Sequence, residues 1–359
     1  MATAKAPVLP RPTMAGKPVG FLPSKSVLTT SKGFIHKKLT DGPVLNMGDA
    51  CVYSCEYCYV PSMAFRRLFA PKNFVKHSPA LRRLLTRAGM SHAAVVIKRC
   101  GNKPSVSGLD LLDRNLKAYP VAEKLQKLVC FTSTSVDPAA NMDDVVETAA
   151  AITRIFEETS WDVRILSKSN LLPEVAKLVP KKFKDRMIFG VSTGTLDDKL
   201  AAAIEPTSPL VSQRIASLRL LQRKGYRTFG MICPSMPQVN YDKFSSDVCK
   251  AINADACEHV WAEPMNIRGK SVKKTIAALI SAGFPKEAAA LSAVSGPNKK
   301  PVWELYAQAT FEAHAKNIPP HKLRFLHYPP FSKQKSAWAK ETRAWWVSRT
   351  SKGALVLSK

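Results

Sequence analysis

Three cysteines, Cys51, Cys55 and Cys58, lie within eight residues in the stretch Cys-Val-Tyr-Ser-Cys-Glu-Tyr-Cys. Thiolates spaced this closely can surround one iron–sulfur cluster, and a [4Fe–4S] cluster is normally held by four cysteines. With three protein ligands, one iron keeps an open site that can bind a small molecule through nitrogen and oxygen. The spacing therefore predicts a [4Fe–4S] cluster whose open iron binds S-adenosylmethionine (SAM) through its amino and carboxylate groups.

Two other roles are open to these cysteines. Three nearby thiols can be ligands of a zinc ion, or they can lie reduced in a hydrophobic core. A structural zinc site usually joins two CxxC pairs, and this sequence has no second CxxC and no HxxxH. The motif therefore favours the cluster over both alternatives.

The cysteine spacing, with Tyr57 immediately before the third cysteine, resembles the signature of the radical SAM superfamily. The resemblance implies electron transfer from the cluster to SAM, which releases a 5′-deoxyadenosyl radical that abstracts hydrogen from a substrate. It also implies a separate electron donor, such as a flavodoxin or a ferredoxin.

The chain that must position this loop alternates β-rich runs with helical stretches. The predicted strands are Val44–Met47, Ala93–Lys98, Leu128–Thr132, Val163–Ser167, Met187–Ser192 and Arg227–Cys233, with a return strand at His259–Glu263. The predicted helices are Pro79–Arg87, Met142–Glu158, Pro173–Leu178, Leu196–Ala203 and Ser212–Lys224. Repeated β/α units predict an α/β fold, here a partial (β/α)6 barrel. In such barrels chemistry lies at the carboxyl ends of the strands, and the cysteines follow the first strand.

Three regions are expected along the chain. Residues 1–40 have no acidic side chain, carry seven Lys or Arg and are rich in Pro, Ser and Thr, which predicts a flexible basic arm. An organelle transit peptide is a second interpretation of this arm. Residues 41–270 form the predicted barrel core. Residues 271–359 form a smaller extension, with helices at Val272–Ala282, Lys286–Ala293 and Val302–Lys316 before a basic, aromatic tail.

Further phrases resemble the spore photoproduct lyase-like group of radical SAM proteins, also described as DNA repair photolyase-like. They are residues 131–138, 165–169, 191–195, 205–209 with Arg214, 233–237 and 262–269. Each follows a successive predicted strand, and the match covers roughly residues 42 to 270. The resemblance implies a partial barrel of the radical SAM type and a lyase or modifying reaction.

Binding of SAM needs acceptors for its amino group, partners for its carboxylate and ribose, and a flat surface for adenine. The candidates are Ser133, Thr134 and Ser135 for the amino group, Ser167 and Lys168 for the carboxylate or ribose, Ser192 and Thr193 one strand on, and Tyr57 near adenine. Each hydroxyl could instead bond a backbone group in its own turn. Lys168 is the stronger candidate, because a charge at a strand end needs an anionic partner.

Two pairs of polar residues complete the predicted mouth of the barrel. Glu205 and Arg214 could form a structural ion pair or contact a ligand. Glu263 and Asn266 occupy the last strand end and are expected to face the substrate.

Five cysteines lie outside the cluster motif. Spore photoproduct lyases use a cysteine as hydrogen donor in a Cys-Thr-Ser phrase, and Cys130 lies one residue out of that phrase, so it is either the donor or a buried structural thiol. Cys100 stands in Cys-Gly-Asn, where many superfamily members have Gly-Gly-Glu. Cys233, Cys249 and Cys257 match no ferredoxin-like spacing, which favours unligated thiols.

Charge and composition bound the partners. The 54 Lys and Arg against 27 Asp and Glu give a net charge of +27, which attracts polyanions such as DNA or RNA. In the tail, Trp338, Trp345 and Trp346 stand among basic residues and could stack on unpaired bases or cover the barrel edge. No run of eighteen apolar residues is present, which predicts no membrane span. Irregular cysteines and an oxygen-sensitive cluster predict a cytoplasmic location.

The leading hypothesis is a radical SAM enzyme that acts on a nucleic-acid substrate, either repairing a DNA lesion or modifying a base. One alternative keeps the radical chemistry but makes the substrate a peptide or a small metabolite. Another is a non-enzymatic, basic nucleic-acid-binding protein with a structural metal site. The sequence leaves the substrate and the oligomeric state open.

Overall fold

The computed structural model describes residues 13–14, 16–30, 39–60, 79–87, 94–102, 105–132, 134–267, 271–296, 299–327, 347–349 and 355–357. These residues form a mixed α/β fold with an eight-stranded sheet, a four-stranded sheet and a two-stranded ribbon. In this part of the chain, no helix combines the length and the apolar character needed to cross a membrane.

The strands are β1 Thr13–Met14, β2 Lys17–Pro23, β3 Leu28–Thr29, β4 Val44–Leu45, β5 Gly48–Ala50, β6 Val96–Cys100, β7 Val129–Thr132, β8 Asp162–Ser167, β9 Met187–Thr193, β10 Arg227–Ser235, β11 His259–Pro264, β12 Leu323–Phe325, β13 Val347–Arg349 and β14 Leu355–Leu357. The main sheet has the order β12-β11-β10-β9-β8-β7-β4-β3. All its neighbours pair in parallel except β3, which is antiparallel to β4. The carboxyl ends of seven parallel strands therefore meet at one edge.

The helices are α1 Pro79–Arg87, α2 Gly108–Ala118, α3 Val121–Lys124, α4 Met142–Glu158, α5 Leu172–Leu178, α6 Asp198–Ile204, α7 Val211–Arg223, α8 Tyr241–Ile252, α9 Ser271–Ser281, α10 Pro285–Val294 and α11 Lys300–Asn317. Local signals explain several of their ends. The Asn141 side chain accepts a hydrogen bond from the backbone N–H of Asp144 and begins α4. Asn253, in the left-handed region at φ 51°, ends α8.

The main sheet buries different apolar clusters on its two faces, which explains why its strands are continuous apolar runs. On the outer face, Val163 and Phe189 belong to the large core shared with helices α4, α5 and α7. On the inner face, Phe229, Trp261 and Leu326 belong to a second, smaller cluster. Together with the helices that connect its strands, this sheet is the predicted α/β core.

One predicted barrel strand lies in a different sheet. The strand expected at Ala93–Lys98 forms as β6, but it pairs with β2 in parallel and with β5 antiparallel. The chain bends between β4 and β5, and a Cβ on Gly48 would lie 2.5 Å from the Ile97 carbonyl oxygen, so glycine permits the close pairing. The main sheet instead gains β12, which sequence patterning missed because it has only three residues.

The C-terminal helices pack against the ends of two main-sheet strands. Their apolar cluster centres on Trp303 and Tyr306, and Tyr57 of the cysteine loop packs against it. The Trp303 indole N–H donates to the Met265 carbonyl at 3.2 Å, and the Met265 N–H donates to the Tyr306 hydroxyl at 2.6 Å. These contacts place the helical extension beside the carboxyl ends of β10 and β11.

Candidate active site

The loop that carries the three cysteines follows β5 and is fixed by bonds to distant parts of the chain. The Thr207 hydroxyl lies 2.9 Å from the Val52 carbonyl and 2.6 Å from the Tyr53 carbonyl. The Lys17 ammonium lies 2.5 Å from both the Val52 carbonyl and the Ser54 hydroxyl. Ser54 has φ 54°, in the left-handed region, and turns the chain between the first two cysteines.

The thiols of Cys51, Cys55 and Cys58 are free and half-buried. The Tyr53 N–H lies 3.5 Å from the Cys51 sulfur, and the Cys55 sulfur lies 3.9 Å from the Ser208 hydroxyl. Burial raises the pKa of all three thiols, that of Cys55 to about 12. Within the described ranges, no three His, Cys, Asp or Glu side chains are grouped closely enough to hold a metal ion. Binding of a cluster therefore requires the loop to draw the three thiols together.

The chemistry of this donor set fits a three-cysteine iron–sulfur cluster. A cluster with thiolate ligands carries negative charge, and two cations border the loop. Lys17 interacts electrostatically with Cys51 and Cys55, and Lys168 interacts with Cys55 and Cys58. This surrounding charge suits an anionic group, and thiolates are the ligands that iron–sulfur clusters use.

Lys168 follows β8 and reaches across to the end of β9. Its ammonium donates to the Ser192 hydroxyl at 3.0 Å and lies 5.5 Å from the centre of the Tyr57 ring. Burial alone would lower the pKa of Lys168, but Glu205 and Cys55 stabilise the cation, and the pKa is raised. The structure therefore brings together four of the predicted site residues, namely Lys168, Ser192, Tyr57 and Cys55.

Tyr57 is tied to a buried ion pair. Its hydroxyl donates to the Glu205 carboxylate, whose other oxygen binds the Arg214 guanidinium. Arg214 also donates to the Pro209 carbonyl at 2.8 Å and to the Ser192 carbonyl at 3.2 Å. Burial and the neighbouring Glu205 raise the pKa of the Tyr57 hydroxyl. Glu205 and Arg214 therefore act as a buried structural pair that links the cysteine loop to the end of β9.

Asp137 joins the ends of β7 and β8, a role that the sequence did not reveal. Its carboxylate accepts from the Ser167 hydroxyl at 2.6 Å, the Lys168 N–H at 2.8 Å and the Ala139 N–H at 3.0 Å. Burial raises the pKa of Asp137, although these hydrogen bonds act in the opposite direction. The Asp-Pro pair after a strand was the available signal, but it does not name the partners.

Asn46 was also missed, and it fixes the predicted amino-group ligands. The Asn46 side-chain oxygen accepts from the Thr134 hydroxyl at 2.8 Å and from the Ser135 N–H at 3.0 Å. The Thr193 hydroxyl similarly donates within its own turn, to the Thr195 carbonyl. For Thr134 and Thr193, the backbone or side-chain partner weighed in the sequence analysis is the one seen. Ser133 lies outside the described residues.

The other predicted cysteines divide between the two faces of the main sheet. Cys130 is fully buried in the outer core, on the face away from the cysteine loop, and burial raises its pKa to about 12. Cys249 and Cys257 lie in the same core. Cys233 instead belongs to the inner face, and its thiol donates to the Glu263 carboxylate at 3.3 Å. The structure thus does not bring Cys130 together with the other site residues.

Some predicted contacts cannot be placed. Most of the aromatic tail, including Trp338, Trp345 and Trp346, lies outside the described residues, as does the basic arm before Thr13. Asn266 is described and half-buried, directly after β11.

Comparison with known proteins identifies the fold. No protein-family model matches the chain. The uncharacterized protein ORF301 of Acidianus two-tailed virus is 26% identical over 258 residues, covering 70% of this chain and 76% of that protein. A tyrosine-to-phenylalanine mutant of spore photoproduct lyase is 10% identical with a TM-score of 0.55, covering 92% of this chain and 89% of that one.

A second structure, a double mutant of spore photoproduct lyase with bound AdoMet and dinucleoside spore photoproduct, is 11% identical with a TM-score of 0.51. The match covers 88% of this chain and 82% of that one. The chain therefore has the fold of spore photoproduct lyase, a radical SAM enzyme.

Proposed function

We propose that this protein is a radical SAM enzyme that holds a [4Fe–4S] cluster on Cys51, Cys55 and Cys58 and abstracts hydrogen from a nucleic-acid substrate. The observation that carries the proposal is the placement of the cysteine loop. It lies at the carboxyl ends of the parallel strands, beside Lys168 and Ser192, in a chain with the fold of an enzyme solved with bound AdoMet. When bound, the cluster and SAM together supply a 5′-deoxyadenosyl radical.

The residues around the loop have distinct tasks in this proposal. Lys168 is a cation at the strand ends, and a charge-assisted hydrogen bond from it would hold the SAM carboxylate. Asp137 holds the backbone of Lys168 and the hydroxyl of Ser167 in one orientation. Tyr57 presents a ring beside Lys168 and is fixed by Glu205. A site held from three strand ends can orient SAM before reduction.

Two observations support a nucleic-acid substrate. The net charge of +27 favours a polyanionic partner. The structures with the same fold include spore photoproduct lyase complexed with dinucleoside spore photoproduct, a DNA lesion. The proposed reaction class is hydrogen abstraction from a damaged nucleotide or from a base to be modified.

Cluster assembly is the first test of the proposal. After anaerobic reconstitution with iron and sulfide, wild type should hold about four irons per chain, the content of one [4Fe–4S] cluster. Separate Cys51→Ala, Cys55→Ala and Cys58→Ala variants should lose the cluster absorption, and a Cys257→Ala control should retain it, because Cys257 is buried in the core away from the loop. Full iron content in all three loop variants would contradict the proposal.

The substrate is tested separately. Ultraviolet-irradiated DNA, unirradiated DNA and RNA are each supplied to the reconstituted enzyme with SAM and dithionite, and nucleosides are analysed by mass spectrometry. Consumption or formation of a nucleoside that depends on SAM supports the proposal. Unchanged nucleosides, with 5′-deoxyadenosine formed at the same rate in every sample, would favour a peptide or small-metabolite substrate.

A further inference from the structure

The segment that follows the cysteine motif has an unusual charge. Residues 57–109 contain no aspartate or glutamate and carry ten lysines and arginines. Two of these cations are structural, because Lys98 is buried against Asp144 and Glu147 at the start and middle of α4, and Arg99 is buried against Asp49. The remaining cations of the segment have no acidic neighbour in sequence to neutralise them.

Helix α1 presents three of the remaining cations on one side. Leu81, Leu84 and Leu85 are its buried residues, whereas Arg83 and Arg87 are exposed and Arg82 is half-exposed. Among the residues that the structure describes, none forms an ion pair with these arginines. We call the side formed by Arg82, Arg83 and Arg87 the arginine face.

The helix is held rigidly, so the arginine face has a fixed direction. Gly20 of β2 faces the helix, and a Cβ at that position would lie 2.7 Å from Leu84 and 2.8 Å from Leu81. Glycine therefore lets α1 pack directly on the four-stranded sheet. An amphipathic helix with its apolar side fully buried keeps its cations in solvent.

The same packing joins α1 to the cysteine loop. Leu81, Leu84 and Leu85 share one apolar cluster with Val60, and Cys58 packs against this cluster. The arginine face therefore lies one side-chain layer away from the third cysteine of the proposed cluster site. Pro79 and Thr86 line an open depression together with the three arginines.

We infer that the arginine face binds the sugar–phosphate backbone of the nucleic acid whose nucleotide enters the strand-end site. The inference rests on the nucleic-acid part of the proposed function and locates that partner on the surface. Guanidinium groups bind phosphate oxygens through paired N–H donors. Arg83 and Arg87 are separated by one helical turn, a rise of about 6 Å, so they can follow a backbone rather than one phosphate.

The test compares two triple variants of the full-length protein. Arg82→Gln, Arg83→Gln and Arg87→Gln together remove the arginine face and keep good helix formers. The control combines Lys181→Gln, Arg223→Gln and Lys224→Gln, three exposed cations that precede β9 and β10 and so lie at the opposite end of the main sheet. Both variants lose three charges, and circular dichroism confirms that both are folded.

Binding of fluorescein-labelled 20-nucleotide single-stranded DNA, duplex DNA and single-stranded RNA is followed by anisotropy across a series of salt concentrations. Each phosphate contact contributes about −0.7 for single strands or −0.9 for duplex to the slope of log K against log salt, or about fivefold to eightfold in affinity at 0.1 M salt. The arginine variant should lose about two units of slope and at least about tenfold in affinity, with the control near wild type.

Equal losses in the two variants, or a wild-type slope in the arginine variant, would overturn the inference. A third readout separates a protein partner, because the arginine face could instead bind an acidic electron donor. Normal nucleic-acid binding, with 5′-deoxyadenosine formed under dithionite but not under a reduced flavodoxin, would identify that partner and overturn the inference. Formation of 5′-deoxyadenosine under dithionite tests the proposed radical chemistry independently of either outcome.

Discussion

Replacing Glu205 by glutamine tests whether a buried ion pair fixes the cysteine loop. The side chains of Glu205 and Arg214 are 4% and 1% exposed, so neither charge is screened by solvent. Glutamine has nearly the same shape and can still accept from Tyr57, but it removes the negative charge. The Arg214 guanidinium then remains buried with carbonyl partners alone.

The magnitude follows from the burial of both partners. Removing one member of a buried pair typically costs about 3–5 kcal/mol, because the other charge is left uncompensated. At about 2 °C per kcal/mol for a chain of this size, we expect the melting temperature to fall by about 6–10 °C. Glu174→Gln is the matched control, since Glu174 and Lys177 form an ion pair at 2.7 Å with side chains 36% and 57% exposed. Loss of an exposed pair costs at most about 0.5 kcal/mol.

The assay is urea and thermal unfolding of both variants beside wild type, without reconstitution, so that stability is measured independently of a cluster. A second readout is the rate at which iodoacetamide alkylates Cys55 and Cys58, which should rise in Glu205→Gln because Tyr57 loses its charged anchor. Equal unfolding midpoints for Glu205→Gln and Glu174→Gln would refute the assignment of this pair as the anchor of the loop.

Three further changes have defined outcomes. Lys168→Met should weaken SAM binding to the reconstituted protein by about 10- to 100-fold, the loss of one charged hydrogen bond, measured by electron paramagnetic resonance titration; unchanged binding would exclude Lys168 as a ligand. Asp137→Asn should lower the free energy of unfolding by about 1–3 kcal/mol, because an amide cannot accept all three donors, as urea denaturation would show. Burial lowers the pKa of His314 to about 4, below its usual 6.5. The neutral ring therefore contributes stability present above about pH 6.5 and lost toward pH 4, about 3 kcal/mol in all, and His314→Gln should flatten that part of the urea-midpoint curve; an unchanged curve would contradict the buried neutral ring.

The sequence was most informative where a pattern is local. The cysteine motif, the Ser-Lys pair at 167–168 and the strand at Met187–Thr193 can all be read from neighbouring residues, and the structure places them at one end of a parallel sheet. The α/β core was predictable for the same reason, because buried parallel strands are continuous apolar runs.

What the sequence could not supply was pairing between distant segments. Strand β6 has the composition of a barrel strand, but its partners are decided by the bend at Gly48, which brings β5 to it. Which face Cys130 occupies depends on a strand register that one residue inverts. Asn46 and Asp137 make their bonds 88 and 30 residues away, so no local motif announces them.

The measurement that tests the account most directly is 5′-deoxyadenosine formation after anaerobic reconstitution, with SAM and dithionite, in wild type and in Cys58→Ala. The account predicts SAM-dependent 5′-deoxyadenosine from wild type and none above background from the variant. Wild-type protein that assembles a cluster but yields no 5′-deoxyadenosine, or a variant that yields as much as wild type, would contradict the claim that this loop supports radical chemistry.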